Sequence, residues 1–176
     1  MSIRIYVGVW LLLWAVVLDA AETRDVNSHF FQQSLGNFSD ELEIAKEDGK
    51  KGLLLFFEED DCPFCARMKR NVLNQSQVQD YYRQHFNIYA VDIEGDVEII
   101  DFDGEATTER AFAEKQFRVR ATPVVAFIDL QGKLIKKFTG ATKDAEEFML
   151  LGQYIVDGHY DQGSFTRFKR SQKNKP

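Results

Sequence analysis

Residues 53–68 read Leu53-Leu54-Leu55-Phe56-Phe57-Glu58-Glu59-Asp60-Asp61-Cys62-Pro63-Phe64-Cys65-Ala66-Arg67-Met68, and they decide the fold. The five consecutive apolar residues predict a strand buried on both faces, as in the centre of a parallel or mixed sheet. The four acidic residues that follow predict a polar loop. Pro63 is typical of a first helical position, because its φ angle is already helical and its missing N–H would have no partner there. The stretch therefore predicts a strand, a loop and a helix.

The chain has two cysteines, Cys62 and Cys65, and both lie at the start of the predicted helix. Free N–H groups and the helix dipole favour a thiolate at Cys62, and Cys65 is one turn away, close enough for a disulfide. A C-x-x-C pair at a strand-to-helix junction is typical of a redox dithiol. Zinc would need two more ligands, and neither a second cysteine pair nor finger-like spacing of His29, His85 and His159 supplies them. A purely structural disulfide remains an alternative, although so short a loop stabilises little.

A second segment, Ala121-Thr122-Pro123-Val124-Val125-Ala126-Phe127-Ile128-Asp129, places a proline directly before an apolar strand. Such a proline can hold a cis bond in a tight turn. Together, the C-x-x-C unit and this segment resemble the thioredoxin superfamily, in which a cis-proline loop faces the C-x-x-C across the substrate groove. The resemblance implies an α/β thioredoxin fold, with a central mixed β-sheet flanked by helices and a small insert before the cis-proline half.

A narrower resemblance covers roughly residues 38 to 157. Phe56-Phe57-Glu58 before Cys62-Pro63-Phe64-Cys65, then Asp101-Phe102-Asp103-Gly104 and Ala121-Thr122-Pro123, are similar to the periplasmic thioredoxins of the SoxW type. That family implies an exported thiol-disulfide oxidoreductase that reduces oxidised protein substrates. It also implies a membrane thiol transporter of the CcdA or DsbD kind as electron donor, and no cofactor or metal.

We expect Cys62 to attack the substrate disulfide and Cys65 to resolve the mixed disulfide, because Cys62 is nearer the helix end. The resemblance implies that the substrate groove is lined by Pro63, Phe64, Thr122 and Pro123. In the superfamily the residue before the cis-proline pairs its backbone with the bound peptide.

Two positions depart from the thioredoxin pattern. The buried acid that thioredoxins carry six residues before the first cysteine is Phe56 here, and the preceding Trp is Asp61. Glu58 or Glu59 is the candidate replacement as a proton relay for Cys65, and the alternative is that both are solvated acids. The acidic run should also repel a Cys62 thiolate, which favours the disulfide and predicts a reductase.

The bulk composition fits a single globular domain. The chain has 176 residues, of which 44% are hydrophobic and 28% charged. A net charge of −6 argues against a general nucleic-acid partner, and we expect a monomer. Two other functions stay open: a disulfide oxidase or isomerase, and a non-catalytic thioredoxin-fold binding module.

Residues 1–21 predict a secretory signal peptide, because Arg4 precedes the apolar run Ile5–Leu18 and small residues follow at Ala20 and Ala21. The apolar run is short for a bilayer core of about 30 Å, although an uncleaved membrane anchor remains the alternative. Export would place the dithiol in the periplasm or outside the cell, where disulfides persist.

The remaining organisation follows from composition and turn signals. A lead-in over residues 22–37 should dock Phe30, Phe31 and Leu35 on the core of a thioredoxin-like domain at residues 38–158. Residues 94–106 predict a small hairpin or strand–loop insert. The basic tail, residues 159–176, is expected to be disordered.

Overall fold

The computed structural model describes residues 22–173, so the predicted signal peptide and its cleavage site lie outside the described residues. The helices are α1 (Val26–His29), α2 (Phe38–Glu47), α3 (Pro63–Met68), α4 (Ser76–His85), α5 (Glu109–Lys115), α6 (Ala145–Val156) and α7 (Phe165–Lys173). The strands are β1 (Gly52–Glu58), β2 (Phe86–Asp92), β3 (Glu98–Ile100), β4 (Ala106–Thr108), β5 (Val124–Asp129) and β6 (Leu134–Thr139). A π-helical turn at Lys69–Leu73 continues α3, and a 3₁₀ turn at His159–Asp161 follows α6. No helix within residues 22–173 is long and apolar enough to cross a membrane.

Four strands form the main sheet, in the order β2-β1-β5-β6. β1 is parallel to β2 and antiparallel to β5, and β5 is antiparallel to β6. The predicted mixed sheet is therefore confirmed. The parallel register places Glu58 directly beside Asp92, at the edge of the sheet where both strands end.

β1 lies at the centre because its side chains are apolar on both faces. Leu54 and Phe56 belong to a core shared with α4 and α6, on one side of the sheet. Leu53, Leu55 and Phe57 belong to a second core, shared with α2 and α5. All five side chains are fully buried, so the predicted two-sided burial is confirmed.

Gly52 allows the close pairing at the start of β1. Its φ angle is +151°, and a Cβ atom there would lie 1.9 Å from the carbonyl oxygen of Ile128 on β5. Only glycine avoids this clash without moving one of the two strands.

The predicted insert is a separate two-stranded antiparallel hairpin formed by β3 and β4. Its turn is held by Asp101, whose carboxylate oxygen accepts hydrogen bonds from the N–H groups of Asp103 and Glu105, each at 2.9 Å. Asp101 itself is buried. The turn of the insert is therefore stabilised by hydrogen bonds within the insert itself.

The lead-in packs as predicted at Phe30 and Phe31, which are 0% and 7% exposed. The expectation for Leu35 is wrong, because this side chain is 101% exposed. Gln32, next to the buried pair, bonds to edge strand β2: its N–H donates to the carbonyl of Ile88 at 2.8 Å. Its side-chain oxygen accepts from the Ile88 N–H.

The tail differs from the expected disorder, because helix α7 forms within it. The ring of Phe165 lies 5.4 Å from that of Phe138 on β6 and 5.5 Å from that of Tyr154 on α6. Phe168 also contacts Tyr154, at 5.6 Å. Two aromatic side chains three positions apart thus give α7 an apolar stripe. The basic composition of the tail did not indicate this stripe.

Candidate functional site

The disulfide between Cys62 and Cys65 lies where β1 passes into α3. Cys62 is the N-cap residue of α3 and Pro63 occupies its first turn, as predicted. The sulfur of Cys62 accepts a hydrogen bond from the N–H of Cys65 at 3.0 Å. A thiolate at Cys62 would therefore meet a backbone donor at the positive end of a helix. The two residues are 5% and 2% exposed.

Pro63 and Phe64 lie on the surface between the two cysteines, and Phe64 is 58% exposed. An exposed aromatic ring beside a disulfide offers apolar contact area to a protein that approaches the sulfurs. The helix behind it is anchored by Arg67, whose guanidinium donates to the carbonyls of Thr142 and Lys143 at 3.0 and 3.2 Å.

The Thr122–Pro123 peptide bond is cis, and Pro123 is buried. β5 begins at the next residue, and Val124 pairs with Phe57 near the end of β1. The carbonyl of Pro123 accepts from the N–H of Gly140 at 2.8 Å. These bonds fix the loop at the same end of the sheet as the disulfide.

The acidic run divides into residues with different surroundings. Asp60 and Asp61 are exposed. Glu59 accepts a hydrogen bond from the hydroxyl of Thr122 at 2.7 Å, so it joins the loop before Cys62 to the cis-proline loop. The structure thus brings together two of the predicted site residues, Glu59 and Thr122, that are far apart in sequence.

Glu58 is turned toward a cavity of about 170 Å³ beside the disulfide. Both cysteines line this cavity, together with the ionisable side chains of Glu58, Glu59, Asp60, Lys69 and Asp92. The Glu58 carboxylate forms an ion pair with Lys69, at 2.5 and 2.8 Å from Nζ to its two oxygens. Neither Glu58 nor Glu59 is hydrogen-bonded to Cys65, although both share a cavity with it.

Lys69 and Asp92 were missed by the sequence analysis. Asp92 ends the strand that pairs in parallel with β1, and the ends of parallel neighbours meet at one edge of a sheet. Lys69 follows Cys65 by four positions, which places both on one face of a helix. The end of the predicted second strand could therefore have indicated Asp92, and the spacing from Cys65 could have indicated Lys69, from the sequence.

Glu109, the first residue of α5, is a further acid near Asp92. Burial raises its pKa above the usual range. The backbone N–H of Asp92 opposes that rise, and the charge of Asp92 adds to it. No group of His, Cys, Asp and Glu side chains within residues 22–173 is arranged to hold a metal ion.

Comparison with known proteins agrees with this geometry. A family model described as a thioredoxin-like domain matches residues 38–155. The chain belongs to the thioredoxin-like domain family. No curated protein sequence is similar enough to match the chain.

Solved structures support the thioredoxin fold. A thioredoxin-fold protein from Helicobacter pylori has 21% sequence identity and a TM-score of 0.63, over 87% of this chain and 97% of that one. A protein described as the DsbH oxidoreductase has 20% identity and a TM-score of 0.56, over 77% and 90% of the two chains. A putative disulphide-isomerase from Bacteroides thetaiotaomicron has 22% identity and a TM-score of 0.55, over 71% and 91%. At these identities the likeness concerns the fold, which is the predicted thioredoxin fold.

Proposed function

We propose that this protein is an exported thiol-disulfide oxidoreductase that reduces disulfides of extracytoplasmic proteins. The observation that carries the proposal is the Cys62–Cys65 disulfide at the N-terminus of α3, where the first sulfur meets a backbone N–H. Thiols of C-x-x-C pairs at helix N-termini form thiolates readily, which suits them to thiol–disulfide exchange.

The reaction takes place in two steps. The thiolate of Cys62 attacks one sulfur of the substrate disulfide, and the other substrate sulfur leaves as a thiolate that takes up a proton. Cys65 then loses its proton and attacks the sulfur of Cys62, which releases the second substrate thiol. Two electrons pass from the protein to the substrate, and the Cys62–Cys65 disulfide is the product.

The resolving thiol needs a base, and we assign that role to Glu58 in preference to Glu59. Glu58 lines the cavity that Cys65 also lines, and its side chain is 19% exposed. Glu59 instead accepts a hydrogen bond from the Thr122 hydroxyl, which directs its carboxylate to the cis-proline loop. A carboxylate in a small, partly enclosed cavity can exchange a proton with a neighbouring thiol, directly or through one water.

The groove for the substrate would lie between Phe64 and the cis-proline loop. Phe64 would supply apolar contact, whereas the backbone of Thr122 would pair with an extended segment of the substrate. Pro63 and Pro123 would shape the two walls.

Reduction, rather than oxidation, is supported by the charges around Cys62. Asp60 and Asp61 are exposed beside it, and Glu59 lies in the same loop, so a Cys62 thiolate would meet like charges. A less stabilised thiolate favours the disulfide, and we expect a reduction potential of about −270 to −180 mV. The resemblance to SoxW-type thioredoxins suggests a membrane thiol transporter of the CcdA or DsbD kind as electron donor. We expect a secreted or periplasmic monomer.

The test is a trapping experiment with the two single-cysteine variants. Cys65→Ser should accumulate mixed disulfides with oxidised protein substrates through Cys62, whereas Cys62→Ser should trap few and should not reduce insulin. Equal trapping by both variants would contradict the assignment of the nucleophile. Equilibration of the wild-type cysteine pair with glutathione measures its reduction potential. A potential near −120 mV, as in strong oxidants, would indicate an oxidase instead of a reductase. A wild-type protein that does not reduce insulin would indicate a binding module.

A further inference from the structure

The cavity beside the disulfide is lined by four acidic residues and one basic residue, Lys69. The acidic residues are Glu58, Glu59, Asp60 and Asp92. Deprotonation of Cys65 places a negative charge on its sulfur, in this acidic space. Like charges disfavour a thiolate, whereas an opposite charge within about 4–6 Å favours it. Among the residues that line the cavity, Lys69 is the one cation.

Lys69 is held in place from two sides. Both oxygens of the Glu58 carboxylate contact its ammonium group, at 2.5 and 2.8 Å. The ring centroid of Phe31, from the lead-in, lies 5.6 Å from Nζ. Phe31 is itself buried, so the aromatic face is fixed. The Lys69 side chain is 30% exposed, and the cation–π contact and the carboxylate partner favour the position of its ammonium group beside Glu58.

The backbone of helix α3 links Lys69 to Cys65. The N–H of Lys69 donates to the carbonyls of Cys65 and Ala66, so Lys69 lies one turn after the resolving cysteine on the same face. The helix changes at this residue from α to π, and single π turns often occur at functional sites.

We propose that Lys69 is a shared counter-ion for the Glu58 carboxylate and the Cys65 thiolate, and hence a positioning residue for the second step of disulfide reduction. The inference rests on the proposed function. In that step the proton of Cys65 passes to Glu58, so the negative charge moves from the carboxylate to the sulfur. Lys69 pairs with the charged group before and after the transfer, and the net charge of the cavity stays constant.

The Cys65 thiolate then attacks the sulfur of Cys62, and the bond between Cys62 and the substrate sulfur breaks. The substrate leaves as a thiolate, which takes up a proton from water or from Glu58. In this step the sulfur of Cys65 is oxidised and the substrate sulfur is reduced, while Cys62 stays at the disulfide level, so no further reactant is needed.

The experiment uses the reduced full-length protein and dithiobis-nitrobenzoate, which releases one coloured thiolate for each protein thiol that reacts. The first release reports the attack by Cys62, and the second reports the resolution by Cys65. Lys69→Met removes the charge and keeps an unbranched stem, whereas Lys69→Arg keeps the charge. Arg70→Met is the matched control, because Arg70 is an exposed cation next in sequence and does not line the cavity.

We expect Lys69→Met to slow the second release about tenfold at pH 7 and to move its pH profile upward by about one unit. The first release should change far less. Lys69→Arg should restore most of the second rate, and Arg70→Met should match the wild type. Thermal unfolding of each oxidised variant tests its fold, and Lys69→Gln takes the place of Lys69→Met if the latter does not fold.

Two results would overturn the inference while leaving the proposed function intact: an unchanged second release in Lys69→Met, or an equal slowing in Arg70→Met. A wild-type protein that gives no second release would instead overturn the proposed function, on which the inference depends. The two failures are therefore distinguishable in one set of measurements.

Discussion

The hydrogen bond between Thr122 and Glu59 joins the two loops that would form the substrate groove, and its removal should have a measurable cost. The hydroxyl of Thr122 lies 2.7 Å from the Glu59 carboxylate, and both residues are partly buried. A hydrogen bond to a charged group contributes about 1.5–3 kcal/mol where water is excluded, and partial exposure reduces this to about 1 kcal/mol. Thr122→Val keeps the shape and removes the donor, so we expect a loss of about 1 kcal/mol in the free energy of unfolding.

A double-mutant cycle isolates this contribution. The wild type, Thr122→Val, Glu59→Ala and the double variant are unfolded in urea, and the coupling energy should be about 1 kcal/mol. The matched control replaces Thr122→Val by Thr139→Val, an exposed threonine at the end of β6, and its effect should add to that of Glu59→Ala. Additive effects at Thr122 as well, within about 0.5 kcal/mol, would show that the bond does not hold the loops together.

The hydrogen bond between Thr122 and Glu59 should also affect substrate binding. A groove wall that is less well ordered binds substrate less tightly, and about 1 kcal/mol corresponds to roughly a fivefold change in affinity. Thr122→Val should therefore raise KM for insulin reduction by up to about fivefold. The pKa of the Cys62 thiol should stay unchanged, because no charge is altered. A lowered kcat with an unchanged KM would contradict a role in substrate binding.

Three other predictions concern charge and packing. Asp60→Asn combined with Asp61→Asn should lower the pKa of Cys62 and make the pair more oxidising, and both effects should be smaller at high salt. Thiolate absorbance measures the pKa, and equilibration with glutathione measures the reduction potential. An unchanged pKa and potential would show that these acids do not act on the sulfur. Because burial raises the pKa of Glu109, its contribution to stability is present at low pH and is lost as the pH rises through the folded-state pKa. Urea unfolding should thus show Glu109→Gln gaining stability relative to the wild type between pH 4 and pH 7, and a constant difference would contradict this cause. Phe165→Ser combined with Phe168→Ser should lower the free energy of unfolding by about 1–3 kcal/mol, because it removes the contacts of α7. Arg167→Ser, on the exposed side of the helix, should lower it little. Equal losses would argue against packing of this helix.

The central unit could be predicted from sequence because its signals are local. A run of apolar residues, a proline at the first helical position and two cysteines one turn apart specify the strand, the helix and the disulfide without reference to the rest of the chain. The hairpin insert was equally accessible, since Asp103-Gly104 marks its turn. In each of these cases the residues that determine the structure lie within a few positions of one another.

The features that escaped prediction depend on contacts between distant segments. The ion pair of Lys69 with Glu58 needs the register of α3 against β1, and the cation–π contact adds Phe31 from the lead-in. Helix α7 forms because Phe165 meets Phe138 and Tyr154, whereas composition alone classed the tail as solvated. Leu35 shows the opposite error, since an apolar residue near two buried ones lies in solvent. Hydrophobicity indicates what can be buried, and the fold decides which of these residues are.

The bond of Gln32 to Ile88 has a consequence for how copies of this protein meet. β2 is an edge strand, and an unpaired edge is a template on which another chain can add a strand. The main chain and the side chain of Gln32 together bond to the C=O and N–H of Ile88, so these two groups are not free to pair with another strand. The opposite edge, β6, carries lysines at positions 136 and 137, which discourage pairing by charge. Proteolytic removal of residues 22–37 would therefore open β2 to strand exchange between molecules, and it would also take Phe31 away from Lys69.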